Sequence, residues 1–161
     1  MTDGGTADSV LLAFLDAQRE RVFEVVAGLD ETQLRSAALP SGWTPLELIE
    51  HLGDAERHWF QEVMLGAADP LSWSDEPDGA SRSTETVFAF YRDQIARARA
   101  VIASTPLSTP PRGRQGRGDE QVTDLRFIVL HMIEETARHL GHLDAARELI
   151  DGRTGLGQDP L

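Results

Sequence analysis

Four stretches of the chain repeat apolar residues every three or four positions, and none alternates them in twos. That feature restricts the fold to packed helices, because a helix returns to the same face after about 3.6 residues and a strand after about two. In the first stretch Val10, Leu11, Phe14, Leu15, Val22, Val25, Val26 and Leu29 form one stripe, predicting a helix over about 8–28. The second opens with WTPLE, where Thr44 can cap, Pro45 fits the first helical position, Glu47 closes a capping box and Trp43 can staple onto Leu48. Leu48, Leu52, Ala55, Trp59 and Val63 then mark a buried side until Gly66, predicting a helix over 44–66. The third, over 84–104, carries Val87, Phe88, Tyr91, Ile95, Ala98 and Ile102. The fourth, over 123–151, carries Leu125, Ile128, Met132, Leu143, Ala146 and Ile150, with Gly152 as its C-terminal cap.

Four amphipathic helices that must each hide one stripe have a joint solution in an all-α four-helix bundle. A chain of 161 residues fits one such domain, and a domain of this size buries about 70% of the surface it would expose unfolded. The connections at 67–83 and 105–120 are longer than a minimal bundle needs and rich in Pro, Gly and Ser, as lids or crossovers are. Trp73, within the first, is a candidate cover for a cleft or a dimer interface.

Charge and composition narrow the function. A net charge of −12 argues against nucleic acid, whose binding needs a positive surface; PPRGRQGRG is the one local exception. No apolar run approaches the ~20 residues of a membrane span, and MTDGGTADS has no signal-peptide pattern, so a cytoplasmic protein is expected. There is no cysteine, which excludes disulfides, thiolate metal sites and a cysteine nucleophile. Any thiol chemistry must use a thiol brought by another molecule.

The stretch HMIEETARHLGH, residues 131–142, places three histidines and two glutamates in a helix that otherwise packs a core. Buried groups of this kind need partners or a metal ion. Glu135 and His139 are four apart and converge, with His131 one turn before and His142 just after. His51 sits between Leu48 and Ala55 on the apolar side of the second helix. Two imidazoles and a carboxylate suit a divalent transition metal, and three protein ligands leave the open position that a catalytic metal requires. HExxH is absent, and the paired Glu-x-x-His motifs of di-iron bundles are absent too, so a single ion is the better reading. The alternative is that each group is hydrogen-bonded packing. His58 is placed at the core edge or surface, and His131 in packing or at the surface. His142 is either a cleft residue or a structural donor. Asp54 is a candidate partner for the second ring nitrogen of His51. Arg138 either meets an anionic substrate or pairs with Glu134 or Asp144.

GWTPLELIEHLGDAERHW and EETARHLGHLDAARELIDG together resemble the DinB-like metal-binding bundles, near the mycothiol-dependent maleylpyruvate isomerase and mycothiol S-transferase branch, over nearly the whole chain. The resemblance implies a bundle, commonly a homodimer, that holds zinc or sometimes nickel through His51, Glu135 and His139. It also implies a low-molecular-weight thiol cosubstrate such as mycothiol. All 15 basic residues are arginine, a bias consistent with a high-GC, mycothiol-producing host. The isomerase carries a further C-terminal domain, whereas ten residues follow Asp151 here, so that particular isomerisation is not expected. The expected function is metal-dependent S-transfer from a small thiol to a small electrophile. A metal-dependent hydrolase and a non-enzymatic metal-binding or stress-response bundle are the alternatives.

Overall fold

The computed structural model describes residues 4–67, 82–113 and 122–154; Trp73 and most of PPRGRQGRG lie outside them. The described residues form α1 (Gly4–Val26), α2 (Glu31–Leu34), α3 (Pro45–Arg57), α4 (Thr84–Ser104) and α5 (Leu125–Asp151), and no strand. This is an all-α four-helix bundle of α1, α3, α4 and α5.

The chain marks its own helix ends. Thr44 Oγ1 accepts from the Glu47 amide at 3.2 Å while Glu47 Oε2 accepts from the Thr44 amide at 2.9 Å, completing the predicted capping box ahead of Pro45. Ser83 and Asp124 cap α4 and α5 by accepting from the amides of Thr86 and Phe127. Gly152, at φ 78°, ends α5 by donating to the Glu148 carbonyl at 2.9 Å.

Two local features depart from the periodicity. The second helix does not continue as α-helix to residue 66: after Arg57 the ladder widens into a π-helix over His58–Met64. Apolar spacing cannot register a change of about one residue per turn. The carbonyls released at its end are met from another loop, as Arg112 N–H donates to Met64 O at 3.0 Å and Gly113 N–H to Val63 O at 2.9 Å. The short α2, capped reciprocally by Asp30 and Gln33, was not predicted, since four residues cannot present a stripe.

Side-chain pairs define the topology. Asp8 meets Arg126, and Arg147 donates to the Val25 carbonyl, so α1 and α5 run parallel. Glu50 meets Arg82 and Gln61 meets Gln94, so α3 and α4 also run parallel. The Trp59 and His131 rings pack at 4.2 Å while His51 faces Glu135, making α3 and α5 antiparallel. Phe23 stacks on Tyr91 and Asp16 accepts from Arg99, making α1 and α4 antiparallel. The order is up, down, down, up. The chain therefore leaves one end of the bundle at Ala67 and re-enters at the other at Arg82.

The core has two apolar clusters. Val22, Leu48, Ile49, Leu52, Tyr91 and Leu143 belong to one, and Leu15, Phe60, Val63, Met64, Ile128 and Met132 to the other. In the interior, Arg19 and Glu56, each 1% exposed, join through two bonds of 2.7 Å, with Asp16 accepting from Arg19 at 3.0 Å. Arg19 also lies over the Phe60 ring, 5.8 Å from its centre. Burial works against the charge of Arg19, yet Glu56 and Asp16 carry its pKa upward. The predicted stripe on α1 is only partly interior: Val10 and Phe14 are 51% and 59% exposed.

Candidate metal centre

His51 is carried on the second turn of α3, held there by its neighbours Leu48, Ile49 and Leu52, which are buried in the core. Glu135 and His139 lie one turn apart on α5, fixed by buried Met132, Thr136 and Leu140. The two helices bring the three side chains together at a half-open groove, with side-chain exposures of 37% for His51, 18% for Glu135 and 15% for His139.

One carboxylate oxygen organises the group. Glu135 Oε1 lies 3.0 Å from Nε2 of His51 and 3.0 Å from Nε2 of His139, accepting from both rings. The rings themselves pack edge to face with centroids 4.6 Å apart. Hydrogen bonds from His139 and then His51 hold the Glu135 carboxyl far below the usual carboxylate range, outweighing the opposing effect of partial burial. Glu135 is therefore an anion facing two imidazole nitrogens.

One ligand atom from each of the three residues lies within 4.8 Å of the other two, and no other group of this kind occurs among the described residues. Two imidazole nitrogens and a carboxylate oxygen are the donors a borderline divalent ion takes, at about 2.0–2.2 Å each. A cation held by these three atoms would take the place of the ring protons donated to Glu135. The Nδ1 atom of His139 is buried with no hydrogen-bond partner among the described residues.

The remaining histidines lie elsewhere. His58 pairs with Glu62 at 2.8 Å in the π-helix, and His131 packs on Trp59. His142 is exposed, its ring 5.6 Å from that of His139. Arg138 is exposed and pairs with Glu134 one turn away at 3.4 Å, the salt-bridge alternative rather than a groove-facing cation. Asp54 lies 3.7 Å from Arg57 and borders a pocket beside His51.

That pocket, about 460 Å³, is lined by Ser41, Gly42, Trp43, Glu47, Glu50, His51, Asp54 and Arg82. Trp43 stands edge-on to the His51 ring, with centroids 5.7 Å apart. Glu50 and Arg82 were not singled out from sequence. Glu47, Glu50 and Asp54 do fall within four positions of His51, which is the signal that could have drawn attention to them.

The chain matches the Mycothiol-S-transferase family over residues 10–152. It belongs to the mycothiol S-transferase family. This family lies within the DinB-like bundles, and the match spans all four bundle helices, including His51, Glu135 and His139. No curated protein and no solved structure matches the chain. Membership in a mycothiol S-transferase family agrees with a chain that has no thiol of its own. Among the described residues no helix is long and apolar enough to cross a membrane.

Proposed function

We propose that this mycothiol S-transferase family member joins a low-molecular-weight thiol such as mycothiol, through its sulfur, to a small electrophile, using a divalent ion, zinc or nickel, held by His51, Glu135 and His139. The convergence of two imidazole nitrogens and one carboxylate oxygen at a half-open groove supports the reading. When bound, the ion supplies the positive charge that keeps a thiol deprotonated at neutral pH. The protein's own contribution is positional. Glu135 contributes the negative charge that favours a cation between the rings, while Met132, Leu140, Leu48 and Leu52 anchor the two helices. In the reaction the S–H bond of the thiol breaks and a carbon–sulfur bond forms; the electrophile either loses its leaving group with the bonding pair, the thiol proton passing to solvent, or its double bond takes up the electrons and a proton.

Elemental mass spectrometry on tag-free protein tests the site, with His51→Ala and His139→Ala beside wild type and helicity followed by circular dichroism. Near-stoichiometric zinc or nickel in wild type, lost in both variants while helicity persists, is the expected result. A metal-supplemented wild type that retains no ion overturns the proposal and leaves a hydrogen-bonded packing site.

A further inference from the structure

Resting on that reading, we infer that Thr136 is a positioning residue of the candidate centre: when an ion takes Nε2 of His139, the Thr136 hydroxyl accepts from Nδ1–H of the same ring and holds it in place. Two buried polar atoms of α5 carry the inference. Thr136 Oγ1 and His139 Nδ1 are both enclosed by protein, and neither has a hydrogen-bond partner among the described residues. They stand three positions apart on one helix, where side chains are neighbours. Long side chains on a helix lean back over the preceding turn, and His139 does so, since its Nε2 reaches Glu135. The same lean brings the ring toward Thr136.

The hydroxyl has no use in the metal-free fold. A threonine inside a helix commonly turns its hydroxyl to the carbonyl four residues earlier, here that of Met132, yet Thr136 makes no such bond. The residue is 0% exposed, so bulk water does not satisfy it either. Valine has the same branched shape without the cost of an unpaired buried polar group. The ring has the complementary need. Glu135 is an acceptor, so Nε2 of His139 carries the proton in the metal-free protein. An ion requires Nε2 unprotonated, and the neutral ring then carries its proton on Nδ1, which is enclosed and needs an acceptor. The carbonyls of this turn are engaged in the α5 ladder, whereas Thr136 Oγ1 has both lone pairs free. A turn of either side chain about its Cα–Cβ bond is the movement that joins the two atoms.

The test compares the full chain as wild type, Thr136→Val and Thr136→Ser, the first keeping the shape and the second the hydroxyl. Zinc affinity is measured by competition with a chromophoric chelator, and the stability of the metal-free protein by urea denaturation. The expected result is that Thr136→Val binds zinc at least about tenfold more weakly, with its metal-free urea midpoint not lowered, while Thr136→Ser stays close to wild type. In zinc-bound protein labelled with nitrogen-15, the His139 Nδ1 resonance should move in Thr136→Val and hold its place in Thr136→Ser. Zinc affinity unchanged in Thr136→Val, an equal loss in both variants, or an Nδ1 resonance indifferent to valine overturns the inference. A valine variant that loses zinc together with metal-free stability marks a packing role and overturns it as well. A wild type that holds no zinc overturns the metal reading and this role with it, whereas a zinc-binding wild type beside an indifferent Thr136→Val overturns the role alone.

Discussion

Arg19 on α1 and Glu56 on α3 meet through two parallel hydrogen bonds of 2.7 Å inside the bundle, both almost fully removed from solvent. Their pairing ties together two helices that are both antiparallel to others around them, and it satisfies charges that would otherwise be stranded. Removing one partner leaves the other charged and buried. Arg19→Met alone should therefore destabilise the protein by about 3–5 kcal/mol, whereas Arg19→Met/Glu56→Leu should recover most of that loss. Urea denaturation of both single variants and the double variant measures the coupling; additive losses would show that the pair is not the source.

The candidate centre should lose metal in a pH-dependent manner, because imidazole nitrogens must be unprotonated to act as ligands. Metal retention on dialysis should fall as the pH is lowered, because protons compete with the ion for the ligand atoms. Glu135→Gln should bind metal at least about tenfold more weakly at neutral pH. Equal retention by wild type and Glu135→Gln in competition with a chelator would remove Glu135 from the ligand set.

In the metal-free protein Glu135 has its own pH signature. Its folded pKa lies below the ordinary value of 4.5 because His139 and His51 donate to it. The stabilisation from these bonds is complete above pH 4.5 and declines as pH falls below that value. The stability difference between wild type and Glu135→Gln should accordingly be constant near neutrality and narrow in acid. Chemical denaturation at a series of pH values reads this directly, and a difference that widens in acid would contradict the hydrogen-bond assignment.

Gly113 allows a loop to close on the π-helix. A Cβ there would sit 1.9 Å from the Glu62 carbonyl oxygen, which is backbone and cannot turn aside. Gly113→Ala should lift the loop and break the bonds from Arg112 and Gly113 to Met64 and Val63, a loss of about 2 kcal/mol. Faster amide hydrogen exchange at both residues is the expected accompaniment; unchanged protection would mean that the loop tolerates the side chain.

Gly53 tests the packing of α3 on α4. An added Cβ would lie 2.6 Å from Cε1 of Phe90, a ring that is 7% exposed and has little room to move. Overpacking costs about 1–3 kcal/mol, partly offset by the roughly 1 kcal/mol by which alanine exceeds glycine in a helix. Gly53→Ala should show a net loss of no more than about 2 kcal/mol by thermal or urea unfolding. Because Gly53 is two residues from His51, metal affinity should weaken too, and a stabilised variant with unchanged metal binding would refute the contact.

The four bundle helices, their caps at Thr44 and Gly152, and the approach of Glu135 to His139 were legible in the sequence because each depends on residues within a few positions of one another. Apolar period, capping chemistry and the turn of a helix are local properties. His51 could be placed on a buried face by the same reasoning, and it meets Glu135 across 84 positions of chain. What the sequence alone left open was which helices are neighbours and in which direction. The parallel pairing of α1 with α5 and of α3 with α4, the Arg19–Glu56 bond across 37 positions, and the pocket joining Trp43 to Arg82 all came from the tertiary structure. Those relationships depend on how whole helix faces fill a shared interior, and one helix's periodicity holds no information about the orientation of the next.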